Sequence, residues 1–201
     1  MSWIILIAVV VILWAYLKSR KPHVDLSHLP EVFVVLDLET SGLKAHKDEI
    51  IEIGAIRAHR DAKQHDTFQI FVRPIKQISN EIIAKTGITN QILDTQGIQE
   101  AIALREFLEF IGDYRLVTFN AEFDMGFLHA AALRHGLVIS NPVSCALKMA
   151  RRAWPGRKSY RLVDLAKDGG LNTRGAHRAL QDCKLASIVY TAAANQLRTN
   201  D

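Results

Sequence analysis

Five side chains in this 201-residue chain are of types, and in neighbourhoods, that can do chemistry together. They are Asp37 and Glu39 in Asp37-Leu38-Glu39-Thr40, Asp124 in Asn120-Ala121-Glu122-Phe123-Asp124, and His177 with Asp182 in His177-Arg178-Ala179-Leu180-Gln181-Asp182. Carboxylates without soft ligands suit hard divalent cations, Mg²⁺ or Mn²⁺. A histidine beside them is the usual proton acceptor near neutral pH. The set describes metal-dependent hydrolysis of a phosphodiester.

Each residue needs an element to hold it. Glu31 to Glu39 is rich in β-formers, and alternation along a strand sends Asp37 and Glu39 from one face while Leu38 points into the core. Two like charges so close repel, and either a cation or water must relieve them. Asp124 falls in the first turn of a helix that follows directly on a strand, where the helix dipole favours a carboxylate. Asn120 is then the expected N-cap, and Glu122 is an alternative ligand on the same turn. Asp182 precedes Leu185, Ile188, Val189 and Ala192 on the last helix, which sets it near a packed face. His177 lies five residues earlier, about 140° away if both were in regular helix. The stretch Asn172-Thr173-Arg174-Gly175-Ala176 lets it sit instead on a loop or frayed turn and swing over the site.

The surrounding pattern predicts an α/β domain with a mixed central sheet flanked by helices. Strand-like runs at Glu31 to Glu39, Glu49 to Ala58 and Thr67 to Arg73 read as an antiparallel meander ending at Pro74. A short segment around Ile82-Ile83 and a Thr86-Gly87-Ile88-Thr89 turn follow, then a helix from Gln99 to Ile111. A fourth strand from Arg115 to Phe119 can lie parallel to the first, reached by that helical crossover. A helix that stops at Gly136 and a last helix from Ala179 to Leu197 complete the pattern.

At this length the chain has room for one substantial core and little more. Cys145 and Cys183 have no finger or C-x-x-C spacing and read as buried thiols. Residues 3–17 (WIILIAVVVILWAYL) carry no charge and are followed by Lys18, Arg20 and Lys21. As a helix they would span roughly 22 Å, short of a ~30 Å hydrocarbon layer, but snorkelling by Lys18 and aromatics at both ends extend the reach. The expected organisation is a single-pass transmembrane anchor with a basic flank (1–21), a tether (22–30) and a catalytic domain (31–198). The positive-inside rule places that domain in the cytoplasm.

The three motifs, in this order and with these neighbours, resemble the DEDDh, DnaQ-like family of 3′–5′ exonucleases over residues 31–195. Ser41-Gly42-Leu43, Ile50-Ile51-Glu52-Ile53-Gly54-Ala55, Thr86-Gly87-Ile88-Thr89 and Phe127-Leu128 support the match. Histidine at 177, in place of a tyrosine in a Y-x-x-x-D pattern, points to the "h" branch. The resemblance implies a ribonuclease H-like fold, two Mg²⁺ or Mn²⁺ ions on Asp37, Glu39, Asp124 and Asp182, and His177 as general base. It also implies that Thr40 and Leu43 contact the terminal nucleotide. Two positions depart from the family pattern: Phe119, where many relatives carry histidine, and Ser144-Cys145, where an Asp-Thr pair is frequent.

Between Lys148 and Arg161 lie six basic residues and no acid, with Trp154 and Tyr160 interleaved. Cations that neutralise phosphates beside aromatic faces that stack on bases are what single-strand binding uses, so Arg151, Arg152 and Arg157 are expected to hold substrate. The expected partners are thus a single-stranded DNA or RNA 3′ end and, through residues 3–17, a membrane. An oligoribonucleotide hydrolase and an inactive tethered scaffold are the alternatives.

Overall fold

The computed structural model describes residues 27–200, the side chain of Asn200 excepted. The apolar run at 3–17 and the basic cluster at 18–21 lie outside the described residues. Among those described, no helix is long and apolar enough to cross a membrane.

Five strands form one sheet: β1 (Val32–Thr40), β2 (Ile50–His59), β3 (Asp66–Phe71), β4 (Arg115–Thr118) and β5 (Val143–Cys145), in the order β3-β2-β1-β4-β5. β1, β2 and β3 pair antiparallel, whereas β4 runs parallel to β1 and β5 parallel to β4. The expected meander and parallel fourth strand are both present. The third strand is shorter than its sequence pattern, stopping at Phe71, because the backbone beyond turns away: Val72 bridges Ile98.

The described residues also form seven helices: α1 (Asn80–Thr86), α2 (Asn90–Gln96), α3 (Glu100–Ile111), α4 (Ala121–Arg134), α5 (Ala146–Ala153), α6 (Leu162–Asp168) and α7 (Ala179–Asn200). Periodicity missed α1 and α2, which are too short to show it. Their signals are caps: Ser79 and Thr89 accept from the N–H groups of Ile82 and Ile92, and Gly87, left-handed at φ 71°, ends α1. The turn expected at Thr86-Gly87-Ile88-Thr89 is the joint between these helices, and Ile88 buries itself beside Ile51, Ile78 and Leu93.

Strand alternation divides the core. Val34, Leu36, Leu38, Ile53 and Leu116 face α3 and α4, meeting Phe107, Phe127 and Leu128. Phe33, Val35, Ile56 and Val117 face α7, meeting Cys183, Ala186, Tyr190 and Ala194, and α5 and α6 pack along that helix. Leu29 is buried in the second cluster, so packing begins before Glu31. Asp37 and Glu39 continue the Phe33–Val35 face and therefore point to the α7 side. Both cysteines are free, Cys183 buried and Cys145 half-buried.

Candidate active site

Asp37, Glu39 and Asp182 each bring a carboxylate oxygen to within 4.8 Å of the others. β1 provides the first two just before its ladder with β2 shifts register between Glu39 and Thr40, and α7 provides the third. The helix can come this close because of Gly54, the cross-strand partner of Asp37. A Cβ at Gly54 would stand 2.7 Å from the carbonyl carbon and Cβ of Ala179 and from the nitrogen of Leu180. Only glycine admits the first turn of α7 onto β2 at that distance.

Asp124 enters from the first turn of α4, at the end of β4, and is 3% exposed. The buried Thr118 hydroxyl donates to its Oδ2, and the backbone N–H of Leu38 also bonds the carboxylate. It stands outside the group of three, yet its charge is felt at Asp37. Asn120 occupies the N-cap position of α4 as expected, but its side chain makes no capping bond. The reason is its backbone, at φ −121° and ψ 84°, away from the usual cap geometry; the exposed amide is left at the end of β4.

Loss of hydration raises all four acids. Asp37 is pushed well above the ordinary carboxylate range by burial and then by the charges of Asp124, Asp182, Glu39 and Glu52. Glu39 rises to about 7 by burial, with Asp182 and Glu52 adding to it and Lys85 and Arg178 opposing. Asp124 also rises to about 7 by burial, against the hydrogen bonds from Thr118 and the backbone. Asp182 is raised by burial, against the N–H and the charge of His177. Its Oδ1 is buried and has no hydrogen-bond partner. An orphaned oxygen facing two further carboxylates is a donor set that fits a hard divalent cation, which would offset the repulsion and the lost hydration together.

His177 sits in the bend before α7 with φ 70°, a left-handed conformation unusual for a residue with a side chain. Its N–H donates to Asp182 Oδ2 at 3.0 Å, and the residue is exposed. The loop placement expected from the spacing is therefore present, with the histidine hinged to the acid it would serve.

The other expected contacts separate. Leu43 is 76% exposed, whereas Thr40 is buried and its hydroxyl donates to the carbonyl of Gly42 at 2.6 Å. Arg151 and Arg152 project into solvent from α5. Arg157 is paired with Asp168 and also donates to the carbonyl of Ser159, so its charge is already met. Trp154 and Tyr160 are half-buried: both pack against the cluster of Ala150, Leu165 and Val189, the Tyr160 hydroxyl donates to the carbonyl of Trp154 at 2.6 Å, and the Arg151 guanidinium lies over the Tyr160 ring. Phe119 joins the same cluster, half-buried, which accounts for an aromatic at that position.

Glu52 and Thr118 were not foreseen as site residues. Glu52 is fully buried beside the acids, directly opposite Glu39 across the β1–β2 ladder. Its signal was present in the chain: one carboxylate within the apolar run Ile50-Ile51-Glu52-Ile53, which no strand buries without partners.

A model of the RNase T exonuclease family matches residues 34–190. The chain belongs to this exonuclease family. Its relatives include the DNA polymerase III subunit epsilon of Aquifex aeolicus, 36% identical over 181 residues that cover 90% of this chain and 88% of that protein. The PolC-type DNA polymerase III of Halalkalibacterium halodurans is 39% identical over 171 residues, 85% of this exonuclease but only 11% of that longer protein. E. coli exonuclease I in complex with a dA16 oligonucleotide has the same fold, with a TM-score of 0.69 at 21% identity over 85% of this chain and 41% of that one. The exonuclease is accordingly a hydrolase acting on nucleic acid, on a ribonuclease H-like α/β sheet.

Proposed function

We propose that this exonuclease removes nucleotides from single-stranded 3′ ends by two-metal hydrolysis, releasing nucleoside 5′-monophosphates. The observation that carries the reading is the convergence of Asp37, Glu39 and Asp182 oxygens within 4.8 Å, with Asp182 Oδ1 unpartnered and His177 hinged alongside. Asp37, Glu39, Asp124 and Asp182 would hold the Mg²⁺ or Mn²⁺ ions. When bound, these supply Lewis-acid activation of water and neutralise charge on the phosphoryl oxygens. The His177 imidazole takes the proton of the attacking water. Its backbone bond to Asp182 keeps that base within reach of the acids while the exposed ring remains free to turn. Thr118 fixes the orientation of Asp124, and Leu43 offers an exposed apolar surface on which a terminal base can rest, past the buried Thr40. Arg151 and Arg152, exposed on α5, can meet the phosphate backbone, with the Arg151 guanidinium 5.9 Å from the Tyr160 ring centroid. The 3′–5′ direction follows the DEDDh resemblance and the motifs that carry it.

The test is cleavage of labelled single-stranded DNA, RNA and dinucleotides by the full chain with Mg²⁺ or Mn²⁺. Asp37→Ala should abolish activity, and His177→Ala should lower it by roughly 10²- to 10⁴-fold. Activity surviving both substitutions would overturn the mechanism.

The same reading includes a membrane tether: residues 1–21 as a single-pass anchor of the inner, cytoplasmic membrane, 22–30 as linker, and the catalytic domain on the cytoplasmic side. The uncharged run at 3–17 and the basic residues that follow support it. Recovery of the full chain in the soluble fraction after cell lysis would count against it.

A further inference from the structure

Glu52 lies among the acids of the site but differs from them in one respect: every acceptor position it has is used. Oε1 accepts from Gln69 Nε2 at 2.6 Å and Arg178 Nη2 at 2.9 Å, and Oε2 accepts from Arg178 Nε at 3.4 Å and the N–H of Ala179 at 3.2 Å. Asp182, by contrast, keeps a buried oxygen unmet. A carboxylate with both oxygens doubly bonded has nothing left to offer a cation. Its function lies in what it holds.

What it holds is the start of α7. Arg178 follows His177 directly, and Ala179 is the first residue of the helix that carries Asp182 three positions on. β3 completes the seat: Phe71 pairs with Glu52 across the β2–β3 ladder and lies under the Arg178 guanidinium, 5.5 Å from its carbon to the ring centroid, while Gln69 supplies the fourth donor. The chain from His177 to Asp182 is thereby pinned at its middle to the strand that pairs with β1. The clamp also places the Arg178 cation next to the acids, where it opposes the negative charge that Glu52 exerts on Glu39.

We propose that Glu52, acting through Arg178 and the Ala179 N–H, is a positioning residue that sets His177 and Asp182 against Asp37 and Glu39. It rests on the nuclease reading for its kinetic consequence only; the clamp itself can be read without turnover. The experiment compares the full chain with Glu52→Gln, Arg178→Gln and the double variant by three measurements: residue-resolved amide hydrogen exchange, calorimetric titration with Mn²⁺ in the absence of nucleic acid, and steady-state cleavage of a single-stranded oligonucleotide. Amide exchange over 177–182 should accelerate about tenfold or more in each variant while the sheet stays protected. Mn²⁺ affinity should fall about tenfold, and kcat about 10- to 100-fold with KM within about twofold, as for groups that orient metal ligands. The double variant should be no worse than Glu52→Gln alone, because Arg178 acts on the helix start only through Glu52. Should Glu52→Gln fail to fold, Arg178→Gln, on a side chain 39% exposed, carries the same measurements.

Unchanged Mn²⁺ affinity with unchanged exchange at 177–182 would overturn the assignment. So would losses that multiply in the double variant, or faster exchange spread evenly over the domain. If the unaltered protein cleaves no oligonucleotide, the nuclease reading fails, and exchange and calorimetry still decide the clamp.

Discussion

Replacing Gly54 by alanine tests whether the approach of α7 to β2 builds the site. The added Cβ would meet Ala179 and Leu180 atoms at 2.7 Å, where ordinary contact begins at 3.4 Å, so the first turn of α7 must retreat by the difference, about 0.7 Å. The obstructing atoms are backbone and a methyl carbon, and no flexible side chain can yield in their place. Overpacking of this kind costs about 1–3 kcal/mol. At about 2–4 °C per kcal/mol for a domain of this size, Tm should fall by roughly 2–12 °C. The larger effect is on turnover, because Asp182 rides on the displaced helix. Misplacing reacting groups by 1 Å costs about 100-fold, so a shift of about 0.7 Å predicts a loss in kcat of roughly 10- to 100-fold. KM for the oligonucleotide should be little altered, since the moved turn carries Asp182 and adjoins His177 rather than holding the nucleic acid. Thermal melts and initial rates on a labelled single-stranded oligonucleotide with saturating Mn²⁺ measure both terms. A variant with the parent Tm and kcat would show that the site does not depend on the approach of α7 to Gly54.

Three further outcomes follow from the same geometry. Thr118→Val removes the hydroxyl that donates to buried Asp124 Oδ2, which should cost about 1–3 kcal/mol and, in metal-free protein, raise the Asp124 carboxyl beyond about 7; the metal-free melting temperature should fall relative to the parent at pH 8, and an unchanged value would remove Thr118 from the site. In metal-free protein Glu39 and Asp124 bind protons more tightly folded, at about 7, than at their ordinary values of 4.5 and 3.8. Their stabilising contribution is complete below pH ~4 and lost as pH rises through about 7, so Tm should fall between pH 5 and pH 8 and Mn²⁺ should restore more of it at pH 8; a metal-free Tm that rose over this window would contradict the assigned shifts. Arg151→Gln with Arg152→Gln should weaken single-strand binding and reduce its log–log salt slope by about 1.4, at about 0.7 per phosphate contact, measured by fluorescence anisotropy; an unchanged slope takes α5 off the path of the strand.

Much of the site was readable along the chain because its rules are local. Alternation alone put Asp37 and Glu39 on one face and Leu38 on the other. The five-residue gap between His177 and Asp182, incompatible with one helical face, required a break before α7, and the structure makes that break with a left-handed His177. The short helices α1 and α2 escaped because two turns show no period, and their caps are their only local mark. Asn120 misled for the opposite reason: residue type and position suited a cap, and the backbone dihedrals there did not.

Side-chain chemistry and strand or helix preference depend on neighbours a few bonds away, so the chain alone specified which residues could bind a hard cation and which elements would present them. Partnership across the fold depends on apolar faces meeting at long sequence separation. That is why only the packed sheet and α7 decided that Asp182 joins Asp37 and Glu39, that Glu52 is saturated by Gln69, Arg178 and Ala179, and that Arg157 is committed to Asp168 while Arg151 and Arg152 stay exposed. Gly54 marks the boundary between the two. The residue is plain in the sequence, but its consequence exists only where a helix 125 positions later comes down upon it.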